Sequence, residues 1–555
     1  MNFNPKYKKI TGIILLIVII SLVMTGLIVR KLIKETNNRI AENWFFEESI
    51  RTGQPVILNN AFILSNEDGV LRFIYDYTTY EIDGRLAETY FGVANITVEG
   101  DDITKVSIKP DSIEDILVSY TEDTVGLKTN GKIARHANVP VYKVIDGAVS
   151  QVEWNSFVVG VSKIRCIMEQ GQVSAILIES EVVPSDVRVV IKNGDTIFYP
   201  ELYIKRVSND MIFNISSILA ANNLSSFEIT DEVGLLICDK NGQSSKSMYE
   251  GVFRIENTES GMVLVNEVPM ETYLKYVLPS EMQTNFAHEA LKAQAVCART
   301  YAYSHMKNQT YARYGANLDD TTAFQVYNSF GRYPQTDAAV EETKGEVITY
   351  NGELIACYYY STSPGVTNDM SSWENENPEY IAVSGTEVLN GWDLQREEDF
   401  SAYMREDIQS FDEASQFYRW KAILDIDEIK EKEYGRLEEI RILERNLAGF
   451  VIELELIYEK ESIILKNENS IRTALGMYLE EIILNDESVR TNMKMLPSAC
   501  FEIVEESNGN VVLRGGGFGH GIGMSQYGAK GMAEAGYGYK EIISYYYHNV
   551  VVKSL

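Results

Sequence analysis

The chain has 555 residues, 45% of them hydrophobic and 23% charged, which is typical of a globular protein with room for about three or four domains. Its 50 basic and 80 acidic residues give a formal net charge of −30, which argues against nucleic-acid binding because that binding needs basic side chains at the phosphates. The scattered cysteines form no CxxC pair, so they indicate core residues rather than a disulfide framework or a zinc site. They are Cys166, Cys238, Cys297, Cys357 and Cys500.

The first predicted element is a transmembrane helix over Ile10 to Val29. This run has no charged residue, and at about 1.5 Å per residue it reaches ~30 Å, the thickness of the hydrocarbon core. Lysine and arginine residues lie on both sides of it. A buried core helix and a cleaved signal peptide are the alternatives, and whether the segment is cleaved stays open. The pattern predicts an anchor in a single-pass protein of the cell membrane, but the basic residues on its two sides are nearly balanced and do not decide its orientation. A cytoplasmic tail over 1–9 with the C-terminal part outside rests on the family resemblance given below.

A short helical stalk is predicted over 31–50, followed by a β-rich module over 51–182. Segments such as Val70 to Tyr75 and Val173 to Glu179 are rich in β-branched residues and are bounded by Gly, Asp or Asn. Residues 36–245 show no chemical motif. The module is therefore interpreted as a spacer or docking unit of unknown role.

Two helices are predicted after residue 251. The first spans Val268 to Leu278 and stops before Pro279, because proline disfavours the α conformation of the residue before it. The second follows a candidate N-cap at Asn285 and runs to about Met306, with apolar residues at helical spacing. Glu281 therefore lies at the junction of two helices, a rigid place for a working side chain.

Three further segments complete the chain. Residues 393–414 are acidic and predict an exposed insertion, and residues 418–505 predict α+β packing. Eight glycines lie among the seventeen residues from Gly515 to Gly531, here called the glycine loop. Such density needs positive φ angles or close backbone approach, so the loop indicates one wall of a site, with His520 in it. A closing helix is predicted over 539–547.

Six ordered motifs in this chain resemble the SpoIID/LytB family, named for a stage II sporulation protein and an amidase enhancer. The resemblance covers residues 187–555, with core motifs over 251–367 and 515–547. The matching pieces are Val268-Pro-Met-Glu-Thr-Tyr-Leu274, Pro279-Ser-Glu-Met282, Glu289 to Ala302, Gln325-Val-Tyr327, Ser361 to Thr367, and the glycine loop. The fold class expected is α+β: an N-terminal single transmembrane helix, a β-rich extracytoplasmic region, and a mixed α+β catalytic domain.

The resemblance implies a lytic transglycosylase that cleaves MurNAc–GlcNAc bonds in peptidoglycan strands stripped of stem peptides. It implies a role in cell-wall remodelling, with glycan strands and a cell-wall amidase as partners, and leaves sporulation and vegetative wall turnover as alternatives. The catalytic acid would be Glu281. The substrate-binding residues implied by motif match are His520, Ser525, Gln526, Tyr527, Arg299, Gln325, Tyr327, Ser361 and Thr367.

Two departures from the family pattern stand out. Some members carry a zinc-binding segment with two cysteines, but the equivalent run here is Asp319-Asp-Thr-Thr-Ala-Phe-Gln325, without thiolates. We therefore expect no metal and no cofactor. The second departure is Ser363-Pro364-Gly365, where the family more often has Ser-Gly-Gly, so the geometry of that loop is expected to differ.

A lytic transglycosylase needs a single carboxyl group, protonated near neutral pH, so its pKa must be raised by burial. The apolar neighbours Pro279, Met282 and Phe286 favour this for Glu281. The alternative is a helix-terminal carboxylate stabilised by the helix dipole. His520 either contacts the substrate or holds Glu281, or it is a structural histidine bonded to loop carbonyls. The mechanism requires Glu281 and the His520 loop to meet in the fold.

A non-catalytic function is the alternative for the whole chain. The large β-rich region is what a wall-docking module would require, so the protein would then bind peptidoglycan and activate a separate amidase. An intact Pro-Ser-Glu-Met motif and the lack of recognisable wall-binding repeats favour the enzyme.

Overall fold

The computed structural model describes residues 44–555 except 68, 84–90, 181–182, 245, 386–388, 390, 407, 427–429, 432–433 and 508–509. The chain divides into two compact units, Met1–Val182 and Val183–Leu555. Each unit has hydrophobic clusters of its own.

The first unit consists of helix α1 (Trp44–Thr52) and two antiparallel-rich sheets. One sheet has the strand order β3-β2-β1-β4-β5, and the other has the order β10-β9-β12-β11-β6-β7-β8. Apolar residues alternate along the strands, and Phe62 packs its ring on Tyr142 at 5.2 Å between centroids, which joins the two sheets. The strands are β1 Val56–Glu67, β2 Val70–Tyr75, β3 Thr78–Asp83, β4 Gly92–Glu99, β5 Asp102–Ile108, β6 Ser112–Tyr120, β7 Thr124–Leu127, β8 Gly131–Ala134, β9 Val141–Ile145, β10 Ala148–Val152, β11 Lys163–Glu169 and β12 Gln172–Ile178.

The second unit begins with a sheet ordered β17-β19-β20-β13-β21, with β14 paired to β20, and a small sheet ordered β16-β15-β18. Strand β20 leads directly into helix α3, so the sheet fixes the start of the segment that carries Glu281. The strands are β13 Asp186–Val190, β14 Phe198–Tyr199, β15 Tyr203–Arg206, β16 Ile212–Asn214, β17 Ser226–Thr230, β18 Leu235–Cys238, β19 Val252–Thr258, β20 Gly261–Pro269 and β21 Leu318–Asp319.

Four further sheets complete the second unit, ordered β23-β22-β35, β24-β34, β31-β30-β25-β33-β32 and β26-β27-β28-β29. The glycine loop begins at the end of β33 and continues through β34. The strands are β22 Glu346–Tyr350, β23 Glu353–Leu354, β24 Tyr359–Tyr360, β25 Trp420–Asp425, β26 Lys430–Glu431, β27 Gly435–Arg445, β28 Val451–Tyr458, β29 Ser462–Lys466, β30 Leu479–Leu484, β31 Val489–Arg490, β32 Phe501–Ser507, β33 Asn510–Gly515, β34 Met524–Ser525 and β35 Val551–Ser554.

Helix α4 is the central element of the second unit. Twelve of the thirteen residues from Ala290 to Ala302 are buried. Alanines dominate its surface, so α3, α5, α8, α9 and β22 can all pack closely against it. The helices of this unit are α2 Ile215–Asn222, α3 Met270–Glu281, α4 His288–His305, α5 Pro334–Glu342, α6 Glu397–Arg405, α7 Glu468–Gly476, α8 Gln526–Glu534 and α9 Tyr539–Tyr546.

The predicted membrane segment, Ile10 to Val29, lies outside the described residues. Within the residues that the structure does describe, no helix is both long and apolar enough to cross a membrane. The longest of them, α4, has 18 residues and includes Glu289, Lys292 and Arg299. The predictions of a single-pass helix, of a membrane partner and of a cell-membrane location therefore find no support among the residues that the structure describes.

The predicted fold class is also wrong as stated. The described residues form 35 strands and nine helices, so this part of the chain is strand-rich, and the expected α+β class with a membrane helix is not supported by it. In the sequence of the second unit, the clearest periodic patterns are the two helical ones that form α3 and α4, and they favoured a fold with a larger share of helix. Many strands of the second unit are only two to six residues long, and such short segments show little periodicity.

Two local predictions need correction as well. Helix α3 does not stop before Pro279 but continues to Glu281, so the proline lies in its last turn. The acidic segment 393–414, predicted to be an exposed insertion, is only partly exposed, because Phe400 and Tyr403 of α6 are fully buried and Asp412 is 3% exposed. Their apolar cluster with Phe450 anchors this segment in the second unit.

Candidate active site

Glu281 is the last residue of α3, and Met282 follows as the C-cap. The side chain is half-buried, and its Oε1 accepts a hydrogen bond from the Val326 backbone N–H at 2.6 Å. Because Oε1 is engaged in this way, a proton on the carboxyl group belongs on Oε2. The segment before α5 thus fixes the orientation of the acid from outside its own helix.

Burial raises the pKa of Glu281 to about 7, and the Val326 amide opposes this shift only in part. Burial also raises the pKa of three surrounding phenols, those of Tyr273, Tyr301 and Tyr359, and the Glu281 carboxylate adds to each shift. A carboxyl group with a pKa near 7 is about half protonated at neutral pH, so it can both give and accept a proton there.

A cleft of about 380 Å³ opens beside Glu281. Residues 279–285 form one side, and Phe330 and Tyr333 form the other. Phe330 is 64% exposed and Tyr333 is 38% exposed, unusual values for large aromatic side chains. Neither residue was predicted from the sequence. The sequence feature that could have indicated them is the loop from Asn328 to Pro334, which directly follows the Gln325-Val-Tyr327 motif. It holds two aromatic residues among residues that favour turns.

Gln325 and Tyr327 lie behind this cleft and not in it. Gln325 is fully buried; it accepts a hydrogen bond from the Tyr273 hydroxyl at 3.1 Å and donates to the Tyr359 hydroxyl at 3.0 Å. Tyr327 is 3% exposed and donates to Asn266 Oδ1 at 2.7 Å. Gln325 and Tyr327 flank Val326 and fix its position. The Val326 N–H can therefore donate to Glu281.

Arg299 is also a buried structural group. Its guanidinium donates to both carboxylate oxygens of Glu271 at 2.8 and 2.6 Å, and to the backbone carbonyls of Val340 and Glu346. The side chain is 0% exposed, so it has no surface for a ligand. It locks α4 to α3 and to α5, which stabilises the helix pair that carries the junction.

The glycine loop packs tightly on the segment from Tyr358 to Asn368. Gly521 has φ +84°, and a Cβ there would overlap the ring of Phe450 and the side chain of Asn368. Gly523 has φ +79°, and a Cβ there would overlap the Tyr358 carbonyl oxygen. The glycine density therefore serves close backbone packing inside the protein at these two positions.

His520 is held by backbone groups on both ring nitrogens. Nδ1 accepts from the Ile522 N–H at 3.1 Å, so Nε2 carries the hydrogen and donates to the Tyr359 carbonyl at 3.1 Å. Burial lowers its pKa to about 4, which keeps the ring neutral. Trp373 packs on it at 5.0 Å between ring centroids. These contacts favour the structural histidine among the two alternatives.

The other predicted substrate-binding residues of the glycine loop, Ser525, Gln526 and Tyr527, lie at the start of α8 and differ in their surroundings. Ser525 is buried, caps α8 by accepting from the Gly528 N–H, and donates to the buried carboxyl group of Asp412. Gln526 is 8% exposed at the first position of α8. Tyr527 is half-buried, and its hydroxyl accepts from Gln283 Nε2 at 3.0 Å, at the edge of the cleft.

Asp412 was not predicted, because its partners lie far from it in the sequence. Besides the Ser525 hydroxyl, the Ser363 N–H donates to it at 2.8 Å, and burial raises its pKa to about 7. Ser361 is half-buried and bonds the Tyr527 N–H through its carbonyl at 3.0 Å. Thr367 is 3% exposed and accepts from the Ser384 N–H at 2.7 Å.

The glycine loop thus meets the Glu281 junction at one end only. Tyr527 reaches Gln283 directly, and the ring of Phe286 packs on Tyr527 at 5.2 Å. His520 is linked to the junction indirectly, through Tyr359, whose carbonyl it binds and whose hydroxyl binds Gln325. The structure therefore brings Tyr527 to the cleft and sets His520 behind it.

The site offers no metal centre within the part of the chain that the structure describes. No group of three or more His, Cys, Asp or Glu side chains lies close enough there to bind an ion. Asp319, where some family members have a cysteine, instead accepts hydrogen bonds from the Tyr311 hydroxyl and from Thr321. The carboxylate oxygens of Asp319 therefore stabilise the conformation of the loop.

Comparison with known proteins places two family matches in the second unit. The stage II sporulation protein model (SpoIID) matches residues 258–350, which include Glu281 and its Val326 partner. A domain of unknown function (DUF8618) matches residues 368–480.

Three relatives share about half of the chain. The amidase enhancer of Bacillus subtilis is 31% identical over 301 residues, 51% of this chain and 40% of that protein. An uncharacterized protein of Brachyspira hyodysenteriae is 30% identical over 293 residues, 52% of this chain and 68% of that protein. Stage II sporulation protein D of Bacillus amyloliquefaciens is 29% identical over 303 residues, with coverages of 52% and 74%. The chain therefore spans less than half the length of the amidase enhancer.

Proposed function

Because the chain belongs to the SpoIID/LytB family, we propose that it remodels the bacterial cell wall as a lytic transglycosylase with Glu281 as its acid and base. The substrate would be the MurNAc–GlcNAc bond of glycan strands, stem-peptide-stripped strands above all. Family members named for sporulation suggest wall remodelling in that process.

The observation that carries this proposal is the raised pKa of Glu281, about 7, beside an open cleft with two exposed aromatic rings. A general acid must hold its proton at the working pH, and burial supplies that condition here. Flat, exposed rings such as Phe330 and Tyr333 suit the apolar faces of sugar rings, since they combine a large apolar face with little conformational entropy to lose.

The reaction can be written with one carboxyl group. Glu281 Oε2–H gives its proton to the glycosidic oxygen as the C1–O bond breaks, and the leaving sugar departs as an alcohol. The resulting carboxylate then takes the proton of the C6 hydroxyl of the same MurNAc, whose oxygen bonds to C1 and closes the 1,6-anhydro ring. The acid is restored and no water is consumed. A hydrolase would need a second carboxylate across the bond.

The test is the cleavage of purified, peptide-stripped glycan strands, with products identified by mass spectrometry. The native chain is expected to produce 1,6-anhydro-MurNAc ends, and Glu281→Gln is expected to reduce the rate by at least about 100-fold, the lower range for loss of a general acid. Glu259→Gln, at an exposed turn of the same unit, is the matched control and should retain full activity.

Hydrated reducing ends in place of anhydro ends, or undiminished cleavage by Glu281→Gln, contradicts the proposal. Circular dichroism of each variant separates loss of chemistry from loss of fold. Glutamine keeps an oxygen that can accept from the Val326 N–H, so the local structure is expected to persist.

The name of the relative from Bacillus subtilis supports a second candidate, a non-catalytic activator of a cell-wall amidase. Here the same cleft would bind strands without cutting them. An amidase assay with and without the chain distinguishes the two: stimulation that survives Glu281→Gln, with no anhydro product from the native chain, favours the activator.

A further inference from the structure

The first unit contains a cleft of about 620 Å³ that the family match, residues 258–350 and 368–480, does not reach. Its lining combines aromatic rings, amide side chains, the carboxylate of Asp76 and one cation. The most relevant lining residues are Tyr77, Arg135, Asn138, Gln151 and Trp154. Arg135 is the only basic residue among those that line it.

Arg135 is held in place, and the carboxylates of Asp123 and Glu122 act on it through space without a direct ion pair. Its guanidinium lies over the Trp154 ring at 4.4 Å from the centroid, and its Nε–H donates to the Thr121 carbonyl at 2.9 Å. Among the described residues, no hydrogen-bond acceptor or carboxylate pairs with its terminal nitrogens. Tyr120 and Phe157 pack on Trp154 at 5.1 and 5.5 Å between ring centroids, which makes the platform rigid.

The opposite rim is a strained hairpin tip. Asp76 and Tyr77, between β2 and β3, have φ angles of +47° and +61°, although neither is glycine. Such angles cost about 1–2 kcal/mol per residue and persist only where the surroundings fix them. The Tyr77 N–H donates to Gln151 Oε1 at 3.0 Å, which fixes the backbone of the tip at the cleft, and the ring remains 54% exposed.

We propose that this cleft is a second glycan site, which binds an amino-sugar oligosaccharide that carries a free carboxylate. The rings of Tyr77 and Trp154 would stack on sugar faces, and the side chains of Asn138 and Gln151 would bond hydroxyl or acetamido groups. The unpaired fork of Arg135 would bind the carboxylate through two parallel hydrogen bonds. A MurNAc residue freed of its stem peptide has this chemistry, its lactyl group ending in a carboxylate.

The choice of ligand rests on the proposed function, but the site does not. A chain with net charge −30 repels a densely anionic polymer, so one cation in an aromatic cleft suits a ligand with sparse charges. The strands that the Glu281 cleft would cut have one carboxylate per disaccharide when fully stripped. The first unit would then hold the strand type on which the second unit acts.

The experiment is calorimetric titration of the full chain with a (GlcNAc–MurNAc)₂ tetrasaccharide that has free lactyl carboxylates. The chain carries Glu281→Gln so that it binds without cutting. Two binding events per chain are expected, and Arg135→Gln should weaken one of them at least about tenfold, the factor expected for a lost charge-assisted pair. Arg72→Gln, at an exposed ion pair with Glu81 on the same hairpin, is the matched control.

A second variant and a second ligand make the test decisive. Trp154→Phe should weaken the same event while circular dichroism stays unchanged. A tetrasaccharide with its carboxylates reduced to alcohols should bind the parent chain and the Arg135→Gln chain alike. Binding that Arg135→Gln and Trp154→Phe both leave unchanged overturns the inference. So does competition by stem peptides alone, which would make the occupant a peptide.

Failure of this inference and failure of the proposed function give different results. If the native chain never cuts strands but the Arg135-dependent event is present, the second site stands and the enzyme proposal falls. If the native chain cuts the tetrasaccharide and both cleft variants bind as the parent does, the enzyme proposal stands and the second site falls.

Discussion

At the scale of the residue, the protonation of Glu281 decides the chemistry. With a pKa of about 7, the acid form dominates below that pH and its fraction falls about tenfold per pH unit above it. We expect the cleavage rate to fall as pH rises through about 7, measured as kcat/KM on stripped strands from pH 5 to 9. Strand binding by the Glu281→Gln chain is the control and should not change at pH 7. A rate that rises through pH 7 would contradict the acid role.

The same group makes a prediction for stability. Its pKa is raised from 4.5 in the unfolded chain to about 7 in the folded chain, so the folded chain binds the proton more tightly. The associated stability is present below pH 4.5 and is lost as pH rises to about 7, a difference of about 3 kcal/mol. We expect Glu281→Gln to be more stable than the native chain in urea at pH 8, and the gain to vanish near pH 4.5.

Phe330 and Tyr333 test whether the cleft holds sugars. Because both rings are exposed and contribute little to the core, their replacement by alanine should raise KM several-fold, leave kcat nearly unchanged and leave the pH profile in place. Phe91→Ala, which removes another exposed aromatic ring from the first unit, is the control for general effects. Unchanged KM in both cleft variants would show that the strand passes elsewhere.

The environment of a single residue could be predicted from the sequence only where its contacts are close to it along the chain. The apolar neighbours of Glu281 are within five residues of it, so its raised pKa could be anticipated. Arg299 is different: its partners are Glu271 and the carbonyls of residues 340 and 346, which only the fold brings together. For the same reason a motif match could not distinguish groove residues from those that support the groove.

At the scale of the element, the glycine loop illustrates a pattern whose cause the sequence could not reveal. Glycine density indicated positive φ angles, and these are present at Gly517, Gly519, Gly521 and Gly523. Whether the close approach was to a ligand or to the protein itself depended on the Tyr358 to Asn368 segment, which is about 155 residues earlier in the chain. The loop is a packed wall that positions Tyr527 and the start of α8.

Two glycines allow the stability cost of a steric overlap to be measured apart from the cost of backbone strain. Gly523 and Gly536 both have positive φ, +79° and +95°, but only at Gly523 would a Cβ overlap another group, the Tyr358 carbonyl. We expect Gly536→Ala to cost about 1–2 kcal/mol from strain alone, and Gly523→Ala to cost at least about 2 kcal/mol more. Urea unfolding of both variants measures this. Equal losses would mean that the loop adjusts freely, which a packed wall would not allow.

At the scale of the whole molecule, the net charge is the property that acts over the longest distance. The net charge of −30 is carried by a chain whose proposed ligands are themselves anionic, so long-range repulsion opposes their encounter. Local contacts at Arg135 or in the Glu281 cleft must overcome it. A basic protein that binds an anionic polymer behaves in the opposite way, because salt weakens its binding.

We therefore expect added salt to strengthen the binding of stripped, carboxylated strands. The Debye length falls from about 30 Å at 0.01 M to about 8 Å at 0.15 M, which screens the distant acidic residues but leaves contacts at the site largely intact. Titration of the Glu281→Gln chain across this range should show a Kd that decreases several-fold. Neutral tetrasaccharides of the same length, the control, should bind alike at both salt concentrations. A Kd for carboxylated strands that increases with salt would instead show that local ion pairs, and not the net charge, dominate recognition.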